Sequence, residues 1–140
     1  MRTQLEFVSD AFPAYPQESD SINPGIWGRR LAEFIATGLT AHGFQPGEPI
    51  AEDWGWCVPI QHDAFPMFVG CSNQVEPGGN RFLCLIDPST PTVKKGFFKR
   101  IDTRADVERL AQALEAALRT SPEVRDLAWT EDSGSDEDES

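Results

Sequence analysis

The chain has 140 residues, 39% hydrophobic and 25% charged, which supports one soluble globular core without disulfides or a structural metal. No apolar run approaches the ~20 residues of a membrane span, the N-terminal seven residues lack the apolar stretch of a secretory signal, and three cysteines suit no disulfide framework; the expected location is cytoplasmic. The net charge of -11 is unevenly held, with six of the 23 acids in the last ten residues, and a body near -5 disfavours contact with nucleic-acid phosphates.

In chain order, Leu5 to Tyr15 reads as extended, and Pro13 and Pro16 end any regular element there. A helix is predicted next. Asn23 suits its N-cap and Pro24 its first turn, Trp27, Leu31, Phe34, Ile35 and Leu39 recur at helical spacing, and Gly43 suits the C-terminal cap. After the Gln45–Pro49 loop come four runs of strand type, about Ile50–Ile60, Phe65–Asn73, Arg81–Asp87 and Thr92–Ile101. Their short connections predict an antiparallel meander of four to five strands. A second helix is predicted from Asp102 or Thr103, where Thr103-x-x-Asp106 has capping-box form, and it ends before Pro122. Its apolar stripe is Val107, Leu110, Ala111, Leu114, Ala117 and Leu118. Asp126–Thr130 reads as a short last strand or an irregular arm. Residues 1–130 are thus expected to form a single α+β domain, and 131–140, which carry no apolar side chain, a disordered acidic tail.

Strand periodicity assigns faces. Glu52-Asp53-Trp54-Gly55-Trp56-Cys57-Val58-Pro59-Ile60 puts Trp54, Trp56, Val58 and Ile60 on one side. Symmetric turns at Gln61–Ala64 and Glu76–Gly79 then set Trp54 opposite Cys71, Trp56 opposite Val69 and Val58 opposite Met67, with Cys71 opposite Cys84 and Val69 opposite Ile86 in the next hairpin. The two amphipathic helices are the available cover for that face, which gives a two-layer sandwich. The other face collects Asp53, Cys57, Phe68, Gly70, Leu83, Leu85, Lys94, Phe98 and Arg100, an apolar centre with a charged rim. Either that face is a binding surface, or the N-terminal arm or Leu127–Trp129 folds across it.

Chemical signals are thin. Cys57, His62, Asp63, Cys71 and Cys84 include no C-x-x-C or H-x-x-x-H spacing, and strand parity separates Cys57 from the other two cysteines; no metal or cofactor is predicted. His62 lies too far along an extended strand from Asp53 to share acid–base work with it, and His42 suits the negative end of a helix dipole. The run Lys94-Lys95-Gly96-Phe97-Phe98-Lys99-Arg100 mixes cations with aromatics but is better read as edge protection on a terminal strand than as a nucleic-acid surface. In make-up the chain is similar to small acidic α+β proteins of bacteria and carries no motif of a named family. The expectation is a non-enzymatic protein-interaction module, of inhibitor or immunity type, that engages a protein partner through Phe68, Leu83, Leu85, Phe98, Asp53 and Arg100. The alternative is a small-ligand or enzymatic domain with a pocket between sheet and helices near Trp27 and Trp54.

Overall fold

The computed structural model describes residues 2–16, 18, 25–74, 80–95 and 99–131. In chain order the elements are β1 (Arg2–Val8), α1 (Arg29–Ala41), β2 (Ile50–Glu52), β3 (Gly55–Ile60), β4 (Met67–Asn73), β5 (Arg81–Asp87), β6 (Thr92–Lys95), β7 (Lys99–Asp102), α2 (Arg104–Arg119) and β8 (Arg125–Glu131). Six strands pair antiparallel in the order β2-β3-β4-β5-β1-β8, and β6 and β7 form a separate hairpin. Both helices pack on one face of the six-stranded sheet. The fold is therefore the expected α+β sandwich, with a different strand order.

The difference lies at the chain's beginning. Alternation in Arg2–Val8 buries Thr3, Leu5 and Phe7, and this strand, not the Thr92–Ile101 run, takes the place beside β5. Phe7 stacks on Phe82 at 5.7 Å, and both meet Phe12 edge-on. Pro88 and Pro91 lack the N–H groups that a continuing ladder would need after β5, and the following run turns back on itself as β6–β7. Consequently Val93, Lys94 and Arg100 leave the main sheet, and the cationic run does not guard its edge. Lys94 pairs with Arg100 and Lys95 with Lys99 along the hairpin backbone.

Three further expectations change. The Ile50–Ile60 run breaks into β2 and β3 at a tight Asp53-Trp54 link, after which Gly55 takes a φ of 151°, a conformation that side-chain-bearing residues rarely adopt. The β3–β4 register is shifted by two residues from the symmetric-turn expectation, to Trp56↔Cys71, Val58↔Val69 and Ile60↔Met67. Phe65 and Pro66 stay in the connection, where the Phe65 ring lies 4.3 Å from that of His62. A two-residue shift preserves the face of every side chain. The next hairpin holds Cys71↔Cys84 and Val69↔Ile86, as the turns implied.

Helix α1 begins at Arg29, and Asn23 and Pro24 lie outside the described residues. The Glu18 carboxylate serves as its cap: Oε2 accepts the N–H groups of Gly28 and Arg29 at 2.9 Å, and Oε1 accepts that of Tyr15. Asn73 secures the approach, donating to the Gly25 carbonyl at 2.8 Å and accepting the Trp27 N–H at 2.9 Å. Gly43, at a φ of 89°, follows the helix C-terminus as expected. The capping box of α2 does not form, because the fully buried Thr103 donates its hydroxyl to the Thr90 carbonyl and Asp106 turns to other partners. The predicted stripe of α2 is buried throughout, and Leu31, Ala32, Ile35 and Leu39 supply that of α1. Among the described residues no helix is long and apolar enough to cross a membrane.

The last segment is a strand, β8, beyond β1. Its Trp129 Nε1 donates to Glu115 of α2 at 2.7 Å, Arg119 Nε reaches the other carboxylate oxygen at 2.8 Å, and the Arg2 guanidinium lies over the Trp129 ring. The Trp129 hydrogen bond, then that of Arg119, pulls the Glu115 carboxyl below its ordinary value of 4.5.

Two predictions follow from this packing. A Cβ at Gly38 would lie 2.6 Å from that of Ala117, so Gly38→Ala should destabilise the protein although helix propensity alone favours alanine by about 1 kcal/mol. Urea midpoints should fall for Gly38→Ala and recover when Ala117→Gly is added. Because the folded pKa of Glu115 is below the unfolded one, its contribution is complete above pH 4.5 and is lost as pH falls through the folded value. Glu115→Gln should therefore flatten the loss of stability below pH 4.5, read as urea midpoints on an acid series.

Candidate functional site

The sheet face away from the helices is built from three crossing rows. Cα partners run Ile50–Cys57–Gly70–Leu85–Gln4–Thr130 in one row, Ser72–Leu83–Glu6–Ala128 in the next, and Pro59–Phe68–Asp87 in the third. Opposed residues share a face, so these side chains point together. Neither β1 nor β8 crosses this face, since both join the sheet edge to edge.

Trp54 defines the site. Expected on the helix side with Trp56, it sits in the β2–β3 link and lies on the opposite face, 41% exposed. Its ring stacks on Phe68 with centroids 6.5 Å apart and planes at 25°. A Cβ at Gly70 would come within 2.9 Å of the indole Cη2 and Cζ3 atoms. Glycine in a central strand thus makes the seat for the indole. Gly55 permits the turn that swings the ring over, its own ideal Cβ position being only 2.5 Å from the Cys71 carbonyl. Phe68, Leu83, Leu85 and Cys57 are half-buried around the indole.

Acids rim this centre. Glu52 and Asp87 are exposed, and Glu6 stands between Leu83 and Ala128. Burial pushes the Cys57 thiol above its ordinary value, with the charges of Glu52 and Asp87 adding to the effect, which places both carboxylates around this half-buried sulfur. Of the expected partner-binding residues, Phe68, Leu83 and Leu85 come together here and Asp53 shares the link with Trp54. Arg100 is exposed on the β6–β7 hairpin, apart from the six-stranded sheet, and Phe98 lies outside the described residues. The sequence reading missed Trp54, Glu6, Glu52 and Asp87 as members of this face. The signal for Trp54 was present in two glycines, one after Asp53-Trp54 and one in the middle of an apolar strand.

On the helix side, Trp56 packs against the core with the Arg29 guanidinium 5.7 Å above its ring, and Trp27 packs against the core as well. Trp27 and Trp56 thus pack with the core on one side of the sheet, whereas Trp54 stacks on Phe68 on the other. A cleft of about 390 Å³ lies elsewhere, between the end of α1 and the β3–β4 connection, lined by His42, Phe44, Gln45, Gln61, His62 and Arg109 among others.

His62 finds its carboxylate on α2. Its Nε2 is 3.4 Å from Asp106, while Nδ1 accepts the Ala64 N–H at 3.1 Å, which assigns the proton to Nε2. Burial pushes the Asp106 carboxyl up, but hydrogen bonds from Arg109 and His62 outweigh it and leave the group below its ordinary value. Both imidazole nitrogens are thus engaged. The pair ties the β3–β4 connection to α2 and presents no free base to the cleft. Among the described residues no three His, Cys, Asp or Glu side chains converge as metal ligands, and Cys57 faces away from Cys71 and Cys84.

Comparison with known proteins found no matching family model, no matching curated protein and no matching solved structure.

The two neighbouring tryptophans should separate in a stability measurement. Trp54→Ala removes one partly exposed stacked ring, worth about 0.5–1.5 kcal/mol beyond its area, whereas Trp56→Ala opens a gap beside the core and should cost about 3 kcal/mol. Denaturant melts of the two variants measure the difference directly.

Proposed function

We propose that this protein is a binding module whose open sheet face docks a protein partner carrying an apolar anchor flanked by Lys or Arg. The observation that supports this reading is Trp54, a large aromatic held half-exposed on a seat made by Gly70 and Phe68 and surrounded by Leu83, Leu85 and the carboxylates of Glu6, Glu52 and Asp87. Exposed tryptophans in apolar patches are the residues on which interface energy concentrates. The acidic rim and the net charge of -11 favour cations and speed their encounter, and an indole face adds cation–π attraction. Occupying a partner's basic site in this way is how an inhibitor or immunity-type protein acts.

The test is selection from a peptide library on the immobilised full chain, followed by titration of the selected peptides. Peptides with an apolar anchor beside Lys or Arg should be enriched, should bind more weakly as salt rises past about 0.15 M, and should lose at least tenfold in affinity to Trp54→Ala. Glu52→Lys should weaken them without lowering the melting temperature. Equal binding to Trp54→Ala, or enrichment of acidic peptides, would refute the assignment.

A further inference from the structure

We propose that two copies of this chain join edge to edge through β8, in antiparallel register about Ala128, so that their sheets become continuous. This surface is distinct from the Trp54 face. β8 ends the strand order, and among the described residues no strand pairs with its far side. It is seven residues long and contains no Pro, Gly or Lys. The opposite edge strand, β2, has three residues and follows Pro49 directly. The charged Arg125, Asp126 and Glu131 and the register shifts of its pairing with β1 flank Ala128–Thr130, so the template left for another strand is the short uncharged stretch around Ala128.

The ladder fixes which backbone groups of β8 point outward. The Ser9 N–H donates to the Asn80 carbonyl at 2.9 Å, in register with Phe7↔Phe82 and Leu5↔Cys84. Hydrogen-bonded pairs alternate along an antiparallel ladder, so Leu5 and Phe7 bond toward β5 while Gln4 and Glu6 bond toward β8. Thr130 and Ala128 oppose Gln4 and Glu6 and therefore bond inward. Leu127 and Trp129 are left to present their N–H and C=O groups at the free edge.

Those groups define a self-complementary register. Pairing about Ala128 sets Leu127 opposite Trp129 of the second copy and Trp129 opposite its Leu127, both as hydrogen-bonded pairs. Only residues 127–129 take part, which leaves the irregular Asp126, at a φ of 56°, outside the seam. Ala128 meets itself on the two-fold axis, in the non-hydrogen-bonded position where Cα atoms approach to about 4.5 Å and a small side chain fits.

Side chains and charges agree with that register. Leu127 and Trp129 are half-buried on the helix side, packed against the core. Helix α1 rests on β3 and β4 and α2 on β1 and β5, so β8 lies at the margin of the helix layer. A second Leu127–Trp129 pair across the seam would extend the apolar cover that one copy leaves incomplete. Beyond Glu131 the sequence continues for nine residues with five acids. Antiparallel pairing about Ala128 sets the two Glu131 positions six residue steps, about 20 Å, apart along the strand direction, past the ~8 Å over which the repulsion of the following acids acts.

Sedimentation of the full chain over a concentration series should show a monomer–dimer equilibrium. Ala128→Glu, which sets two carboxylates face to face on the axis, should shift it to monomer while the far-ultraviolet circular dichroism of the folded chain stays unchanged. A128C treated with oxidised glutathione should form a disulfide-linked dimer, with the glutathione reduced to its thiol, whereas T130C and the wild-type chain should not. Trp54→Ala should leave the dimer intact. A chain that stays monomeric up to about 1 mM, the range of the weakest specific associations, would overturn the proposal. So would a dimer indifferent to Ala128→Glu, or equal cross-linking of T130C and A128C.

Discussion

Insertion of β1 between β5 and β8 is the constraint on which the rest of the structure depends. It carries Leu5 and Phe7 to the centre of the core, where neither retains any exposure, and stacks Phe7 on Phe82. It also brings the first and last described strands into one sheet, since among the described residues β8 pairs only with β1. Helix α2 packs on β1 and β5, and the Arg2–Trp129–Glu115 cluster then ties first strand, last strand and helix together. Without β1 the sheet would end at β5, β8 would have nothing to pair with, and α2 would lose half of its bed.

The same insertion keeps β1 and β8 within the sheet and off its other face. A β1 or β8 that had folded over Phe68, Leu83 and Leu85 would have completed a three-layer core, but both pair within the sheet. Among the described residues, Trp54 partly covers the face, delivered by a two-residue link and seated where Gly70 has no Cβ. Glycine in a central strand ordinarily weakens it through lost packing and added chain entropy. Here the indole supplies the missing packing from outside, which ties the conformation of the β2–β3 link to the middle of the sheet. A partner that engages the indole would thereby sense the link and β4 together.

Electrostatics divides the molecule in two. On the helix side, carboxylates meet cations at short range: Glu108 and Glu115 with Arg2, Asp106 with Arg109, Glu33 with Arg29; Asp106 also meets the His62 Nε2. Around the Trp54 face, Glu6, Glu52 and Asp87 are gathered by strand register. The His62–Asp106 pair shows how a suggestive combination loses its chemical meaning once both ring nitrogens are accounted for, because a base with no free lone pair accepts no proton from a substrate.

How much could be read without the structure follows from how far each signal reaches along the chain. Periodicity is local, and it sufficed for the apolar stripe of α2, for the strands Arg81–Asp87 and Phe65–Asn73 to within two residues, and for the Cys71↔Cys84 register. Face assignment in β3 survived a register error of two because side chains repeat every two residues. The pairing of β1 with β5 and the His62–Asp106 contact join residues dozens of positions apart, and nothing in a sequence window ranks such pairings. The side on which Trp54 lies turned on a single backbone angle at Gly55, which permits both a continuing strand and a sharp turn. The sequence by itself determined the α+β class, the two helical segments, the strands Arg81–Asp87 and (to within two residues) Phe65–Asn73, the buried stripe of α2 and the acidic balance. Only the tertiary structure decided which strand sits at the centre, which face stays open and which tryptophan stands on it, because those outcomes depend on competition among distant strands for the same backbone hydrogen bonds and the same core volume.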